Sequence, residues 1–181
     1  KTIGILGYGN IGKEVAKRAM PFGLKIIGCG PRKPLSGVKP NVFYPLDRLN
    51  EMLKTSDFLL ISAPLTSETE NLISKSQLKK MKASSIIINI ARGPIVDEEA
   101  LYVACKERII GGAVIDTWYQ YPKTDKVDTP PSRFDFGQLD NVIMSPHASA
   151  WTDALVRRRT KFIAENLNRL IQNKQLRNIV K

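Results

Sequence analysis

The sequence predicts an α/β fold, a doubly wound parallel sheet with helices on both faces. Two observations carry that expectation. Short apolar runs alternate with stretches of helical periodicity along the whole chain, the pattern of strand–helix–strand units that build a parallel sheet. The runs are short and continuously apolar, as strands buried on both faces are. A length of 181 residues suits one such domain. In sheets of this kind ligands sit at the carboxyl ends of the strands, so the segments that follow each run are the places to look for function.

Taken in order, Thr2–Leu6 is a first strand bounded by glycines. Lys13–Phe22 carries Val15, Ala16, Ala19 and Met20 at helical spacing and is ended by Pro21 and Gly23. Lys25–Cys29 is a second strand, and 30–45, rich in Pro and Gly, reads as loop. Asp47 begins a helix through Lys54, and Phe58–Ser62 is the next strand. Ser74 or Ser76 caps a helix through Met81, before the strongest strand signal in the chain, Ser85–Ile90. Asp97, with Ala100 three residues on, caps a helix through Lys106, and Gly111–Asp116 is a strand. After a Pro-rich stretch come a strand at Asn141–Ser145 and a long helix at Trp151–Gln172. The stretches 34–46 and 120–138 are the loops expected to carry function or to vary.

Composition excludes several classes of function. Hydrophobic residues make up 43% and charged residues 25%, ordinary for a globular protein. No apolar run is long enough to span a bilayer, and Lys1-Thr2 leads straight into a strand rather than a signal peptide. No membrane partner is therefore expected. Cys29 and Cys105 form neither a CxxC pair nor a metal-ligand spacing, so no metal is expected, and free buried thiols in a reducing cytoplasm are the reading. The formal net charge is +11. Residues 151–181 hold eight basic side chains (Arg157, Arg158, Arg159, Lys161, Arg169, Lys174, Arg177, Lys181) against Asp153 and Glu165, a net +6. No aromatic residues alternate with these charges, so a solvated helix face or a surface meeting another domain is expected, and no nucleic acid.

The first helix is preceded by Gly7-Tyr8-Gly9-Asn10-Ile11-Gly12, a G-x-G-x-x-G placed directly after the first strand. That context makes it a dinucleotide-binding loop of the Rossmann type. Gly7 permits the tight turn, Gly9 admits the pyrophosphate, Gly12 lets helix and strand pack closely, and the helix N-terminus faces the anion. An acidic residue about 20 residues on ordinarily binds the ribose hydroxyls of NAD. Here no Asp or Glu lies between Glu14 and Asp47, Gly30 takes the carboxylate's place, and Arg32 and Lys33 follow. Arg offers a bidentate match to a 2′-phosphate. NADP is therefore favoured over NAD.

Four stretches then carry a family resemblance: Gly7–Phe22 (GYGNIGKEVAKRAMPF), Ala63–Ile73 (APLTSETENLI), Ile88–Leu101 (INIARGPIVDEEAL) and Ser145–Thr152 (SPHASAWT). In this order they resemble the NAD(P)-binding domain of the D-isomer-specific 2-hydroxyacid dehydrogenases. The resemblance implies a hydride transfer between a nicotinamide cofactor and a small 2-oxo or 2-hydroxy acid. It implies that Arg92 binds the substrate carboxylate and carbonyl, that Asp116 lies near the nicotinamide, and that His147 is the acid/base. Cofactor contacts are implied at Gly7, Gly9, Asn10, Ile11, Gly12, Arg32, Ala63, Pro64, Thr69, Ile90, Ala91, Arg92, Asp116 and His147. The chemistry agrees: a rigid guanidinium fork suits a carboxylate, and a histidine suits proton transfer near neutrality. His147 is the only histidine in the chain.

Two departures limit the carry-over. The family's Glu, five residues past the Asp116 position, pairs with the histidine; here that position is Tyr121, preceded by Gln120. Either of these could hydrogen-bond His147, but neither stabilises an imidazolium as a carboxylate does. The family's substrate domain precedes the dinucleotide domain, and this chain starts at the first strand. It is read as an excised unit, with residues 1–150 the dinucleotide-binding domain and 151–181 its closing helix and return segment (Leu176–Val180), from a protein expected to be a homodimer. Two rivals stand beside the enzyme: a dinucleotide-sensing protein of the corepressor type, and an adenosylhomocysteinase-type hydrolase, which shares the glycine loop but lacks the RGP and PH motifs.

Overall fold

Seven strands, β1 (Thr2–Leu6), β2 (Lys25–Cys29), β3 (Val42–Tyr44), β4 (Phe58–Ile61), β5 (Ile86–Asn89), β6 (Gly112–Ile115) and β7 (Val142–Met144), form one sheet in the computed structural model, which describes residues 1–123 and 129–179. The order is β3-β2-β1-β4-β5-β6-β7 and every pairing is parallel. The expected Rossmann-type doubly wound sheet is what forms. The chain winds outward from β1 in one direction, returns, and winds outward in the other, so the order reverses between β1 and β4.

Alternation along each strand sends successive side chains to opposite faces. Ile3, Ile5, Ile26 and Leu60 join Ala16 and Ala19 of helix α1 (Asn10–Ala19) in one buried cluster. Leu6, Ile27, Leu59 and Ile61 point the other way. There they meet Met52 and Leu53 of α2 (Leu49–Thr55), and the same cluster holds Leu101 and Ala104 of α4 (Glu98–Lys106). Each fully buried Leu or Ile contributes about 1.5–3 kcal/mol, and these two clusters are what hold the strand ends in line. Asp97 caps α4 by accepting a hydrogen bond from Ala100 N at 2.7 Å, as its spacing predicts.

Several boundaries differ from expectation, each for a local reason. α1 begins at Asn10, three residues early, because the glycine loop itself supplies its first turn; Met20–Phe22 is a separate 3-10 turn closed by Gly23 at φ +72. β3 lies inside what reads as loop, an edge strand held by pairing Ile27 with Val42 and Cys29 with Tyr44. The helix expected through Met81 is the single turn α3 (Lys75–Leu78), and Ser74 Oγ donates to Gln77 Oε1 at 2.6 Å instead of capping a backbone N–H.

The segment Ala148–Lys181 forms a unit of its own. Its helix α5 runs Leu155–Ile171, four residues later than expected, after a turn in which Trp151 N donates to Ala148 O. The return segment folds onto α5 where Asn166 clamps the Arg177 backbone, accepting from its N at 3.0 Å and donating to its O at 3.1 Å. Arg157, Arg158, Arg159 and Lys161 are exposed. Val180, Lys181 and residues 124–128 of the 120–138 loop lie outside the described residues. No helix among the described residues is long and apolar enough to cross a membrane.

Candidate active site

The sheet register sets the site. Tyr44 pairs with Cys29, Cys29 with Leu6, Leu6 with Ile61, Ile61 with Asn89, Asn89 with Ile115, and Ile115 with Met144. One straight row of residues thus ends all seven strands. The next residues along the chain, Gly7, Gly30, Ser62, Ile90, Asp116 and Ser145, begin a second row on the same edge. Gly7–Gly12, Arg32, Ala63, Arg92, Asp116 and His147 all follow that row within a few residues.

The glycine loop shows how each glycine is used. Gly7 has φ +90, and a Cβ there would lie 2.4 Å from Ala63 N. A Cβ on Gly12 would lie 2.7 Å from Gly7 O and 2.9 Å from Ile5 Cγ2, so α1 rests directly on β1. At Gly9 an added Cβ would meet nothing within 4 Å. Gly9 is the N-cap of α1, where no side chain caps the helix and no acidic residue stands in the first turn. The first N–H groups of the helix therefore face an open space that a pyrophosphate fits. Ser62 Oγ donates to Gly7 O at 2.8 Å and ties the β4 end to the loop.

Around it, Asn10 and Ile11 are exposed at the start of α1, and Arg32 and Lys33 are exposed beyond β2. Gly30 has room for a side chain: a Cβ there would approach only Phe43 Cζ at 3.9 Å and Tyr8 N at 4.0 Å. After β4, Ala63 is buried and Pro64 exposed. Thr69 is buried, and its hydroxyl is used inside its own loop, donating to Pro64 O at 2.7 Å and accepting from Thr66 N at 2.8 Å. It shapes the loop that carries Ala63 and Pro64. Ile90 packs half-buried against the α1 cluster.

The ends of β5, β6 and β7 are cross-braced. Asn89 accepts from Ala91 N at 3.0 Å and donates to Arg92 O at 2.9 Å, which clamps the turn bearing Arg92. The Arg92 side chain is exposed and donates to Ala91 O at 2.6 Å. A Cβ on Gly93 would lie 2.5 Å from Trp118 O, so the loop after β6 lies directly on this turn. Trp118 Nε1 donates to Ser145 O at 2.8 Å, and Ser145 Oγ donates to the buried Asp116 Oδ1 at 2.5 Å. Tyr119 Oη donates to Val96 O at 3.0 Å; burial, then the nearby Glu98 and Asp97 carboxylates, push its phenol well above its ordinary value.

His147 ends this frame with φ +57, a left-handed conformation that costs roughly 1–2 kcal/mol in an ordinary residue. Among the described residues its exposed ring has one hydrogen-bond partner: Nδ1 lies 3.1 Å from Tyr121 Oη. Tyr121 rather than Gln120 reaches the histidine, and its oxygen also accepts from Trp118 N at 2.9 Å. Beside them is a cavity of about 390 Å³ walled by Trp118, Tyr121, Pro131, Met144 and Pro146. A larger cavity of about 570 Å³ lies between α3 and α4, away from the row of strand ends. Asn89, Trp118 and Ser145 were not singled out by sequence. Asn89 could have been, as the one polar residue in the apolar run 86–90.

Residues 1–149 match the family model of the D-isomer specific 2-hydroxyacid dehydrogenase NAD-binding domain. The hydroxypyruvate reductase of Thermotoga maritima is 42% identical over 162 residues, covering 87% of this chain and 49% of that protein. Among solved structures, D-lactate dehydrogenase with NAD+ from Lactobacillus jensenii superposes with a TM-score of 0.85 at 30% identity, over 100% of this chain and 56% of that one. The NADPH-dependent glyoxylate/hydroxypyruvate reductase of Sinorhizobium meliloti, in complex with NADP and sulfate, gives 0.84 at 26% identity, over 99% and 55%. The chain spans between a third and a half of the length of the curated relatives it matches.

Proposed function

Since the chain belongs to the D-isomer-specific 2-hydroxyacid dehydrogenases, as their NAD-binding domain, we propose that the whole protein reduces a small 2-oxo acid and that its cofactor is NADPH. The observation that carries this reading is the single row of strand ends, which brings the open glycine loop, Arg92 and His147 to one edge of the sheet. The names of the matched relatives are those of enzymes, which supports this over a dinucleotide-sensing role.

Gly7, Gly9 and Gly12 would hold the pyrophosphate, with Asn10 and Ile11 offering the first N–H groups of α1. Ala63, Pro64, Ile90, Ala91 and Asp116 would flank the cofactor further along the row. When bound, the reduced nicotinamide supplies a hydride for the keto carbon. Arg92 grips the substrate carboxylate and polarises the carbonyl with its planar donors. His147 gives a proton to the carbonyl oxygen as it gains charge. Tyr121 holds the imidazole where the family places a Glu. The pocket's other wall would come from a further domain of the whole protein, residues 1–150 being the dinucleotide domain and 151–181 its closing helix and return. A cytoplasmic homodimer belongs to the same reading, and the two free buried cysteines suit a reducing compartment.

The choice of NADPH rests on charge. No carboxylate lies between Glu14 and Asp47, and the room at Gly30 means that packing does not forbid one. Arg32 and Lys33 follow instead, exposed to a 2′-phosphate. Titrating this chain with both cofactors tests it. NADPH should bind about ten- to a hundredfold more tightly than NADH, the worth of one charge-assisted hydrogen bond, and Arg32→Ala should remove most of that gap while leaving NADH unchanged. Equal affinities in the unmutated chain would overturn the assignment.

A further inference from the structure

We infer that Tyr121 is a positioning residue that fixes the tautomer of His147, holding the neutral ring with its proton on Nε2, the nitrogen turned away from Tyr121. The inference deepens the functional reading above and rests on His147 being its proton donor.

One group in this arrangement cannot rotate. The Trp118 backbone N–H is a fixed donor, and a backbone donor in a folded site needs an acceptor. It finds the Tyr121 oxygen at 2.9 Å. That bond commits the phenol to accept on one side. The hydroxyl hydrogen then has one acceptor within reach among the described residues, His147 Nδ1 at 3.1 Å. A hydroxyl turns to suit its partners, and a neutral imidazole has one donor and one acceptor nitrogen. The arrangement in which every group is satisfied runs Trp118 N–H to Tyr121 Oη, and Tyr121 O–H to His147 Nδ1. Nδ1 is thereby the acceptor and the ring proton sits on Nε2.

A carboxylate in the place of Tyr121 would set the opposite tautomer. It has no proton to give, so it accepts from Nδ1–H and leaves Nε2 bare as a base. With Tyr121 the neutral ring instead presents Nε2–H to the substrate side. A keto oxygen can accept that hydrogen bond at once, whereas the hydroxyl of a 2-hydroxy acid finds no base there until the ring proton moves from Nε2 to Nδ1 and the Tyr121 hydroxyl swings away. The ground-state site is thus shaped for the 2-oxo acid.

Because His147 is the only histidine, ring-nitrogen NMR of this chain reads it without ambiguity. Spectra would be taken about two pH units above the ordinary histidine value of about 6.5. They should show Nε2 protonated and Nδ1 an acceptor. In Y121F the Nδ1 signal should lose its hydrogen-bonded shift and both tautomers should exchange, and in Y121E the proton should move to Nδ1. Y119F, which removes a hydroxyl bonded to Val96 rather than to the histidine, should leave the ring signals in place. A loss of folding would be seen in all signals, whereas the tautomer change is confined to one ring. An Nδ1–H tautomer in the unmutated chain, or ring signals unchanged by Y121F, would overturn the inference. The readout needs neither substrate nor cofactor, so it succeeds or fails separately from the functional reading.

Discussion

Replacing Gly9 with alanine should separate binding from folding. The added Cβ would meet no atom within 4 Å, and a φ of −84 is open to any residue. Alanine is the poorer helix cap, but it also narrows the unfolded ensemble, a stabilisation of about 0.4–1 kcal/mol. The two effects oppose each other, so the melting temperature should move by no more than roughly 2–4 °C. The same methyl fills the space through which the proposed pyrophosphate would reach the helix N–H groups. Overpacking of that kind costs about 1–3 kcal/mol, equal to a five- to hundredfold weaker Kd by rough conversion. Gly12→Ala is the contrast, because its Cβ would press on Gly7 O at 2.7 Å and Ile5 Cγ2 at 2.9 Å, lowering stability and binding together. Fluorescence titration with NADPH and a thermal melt read both quantities. Unchanged affinity in Gly9→Ala would refute a phosphate at this loop, and a collapsed melt would make Gly9 a structural turn.

Other consequences follow from charge and burial. Asp57 accepts from Lys82 Nζ at 2.9 Å and Thr2 N at 2.7 Å, and these bonds, Lys82 first, hold its carboxyl below the ordinary 3.8. Its contribution is therefore present above about pH 4 and lost as the pH falls further; Asp57→Asn should cost about 1–2 kcal/mol at neutral pH and lose less on acidification, and equal acid loss in urea melts would contradict this. Burial pushes the thiols of Cys29 and Cys105 up to about 12, so thiol reagents should label neither before unfolding; rapid native labelling of either would count against the packing described. In the whole protein, Tyr121→Glu should carry reduction to higher pH, since a carboxylate favours the imidazolium; an unmoved alkaline limb with activity intact would show that position 121 does not act on the histidine.

Much of the architecture was legible because burial on both faces writes strands as plain apolar runs. β1 and β2 have the bounds their sequences suggest, and Asp97 caps α4 through the Ala100 N–H that its spacing implied. β3 was hidden because an edge strand of three half-buried residues is defined by its partner β2, and pairing leaves no mark in local composition. The start of α5 was misplaced because Trp151–Ala154 continues the helical look of the sequence while its backbone makes a turn. At the site, Tyr121 was visible as the odd residue in a familiar stretch. The fixed donor that gives it meaning, Trp118 N–H, is a backbone group and carries no sequence signal. Asn89 and Ser145 are legible only as polar residues at strand ends, and their bracing roles depend on the register across β5, β6 and β7.

If this dinucleotide domain serves the reduction of a 2-oxo acid, the whole protein should consume NADPH when given one. With glyoxylate or hydroxypyruvate present, the absorbance of NADPH should fall in step with formation of the 2-hydroxy acid. His147→Asn should abolish that turnover while NADPH binding persists, because the proposed proton donor is lost and the glycine loop is untouched. A whole protein that binds NADPH tightly yet consumes none of it with either acid, or one whose turnover survives His147→Asn, would contradict the account.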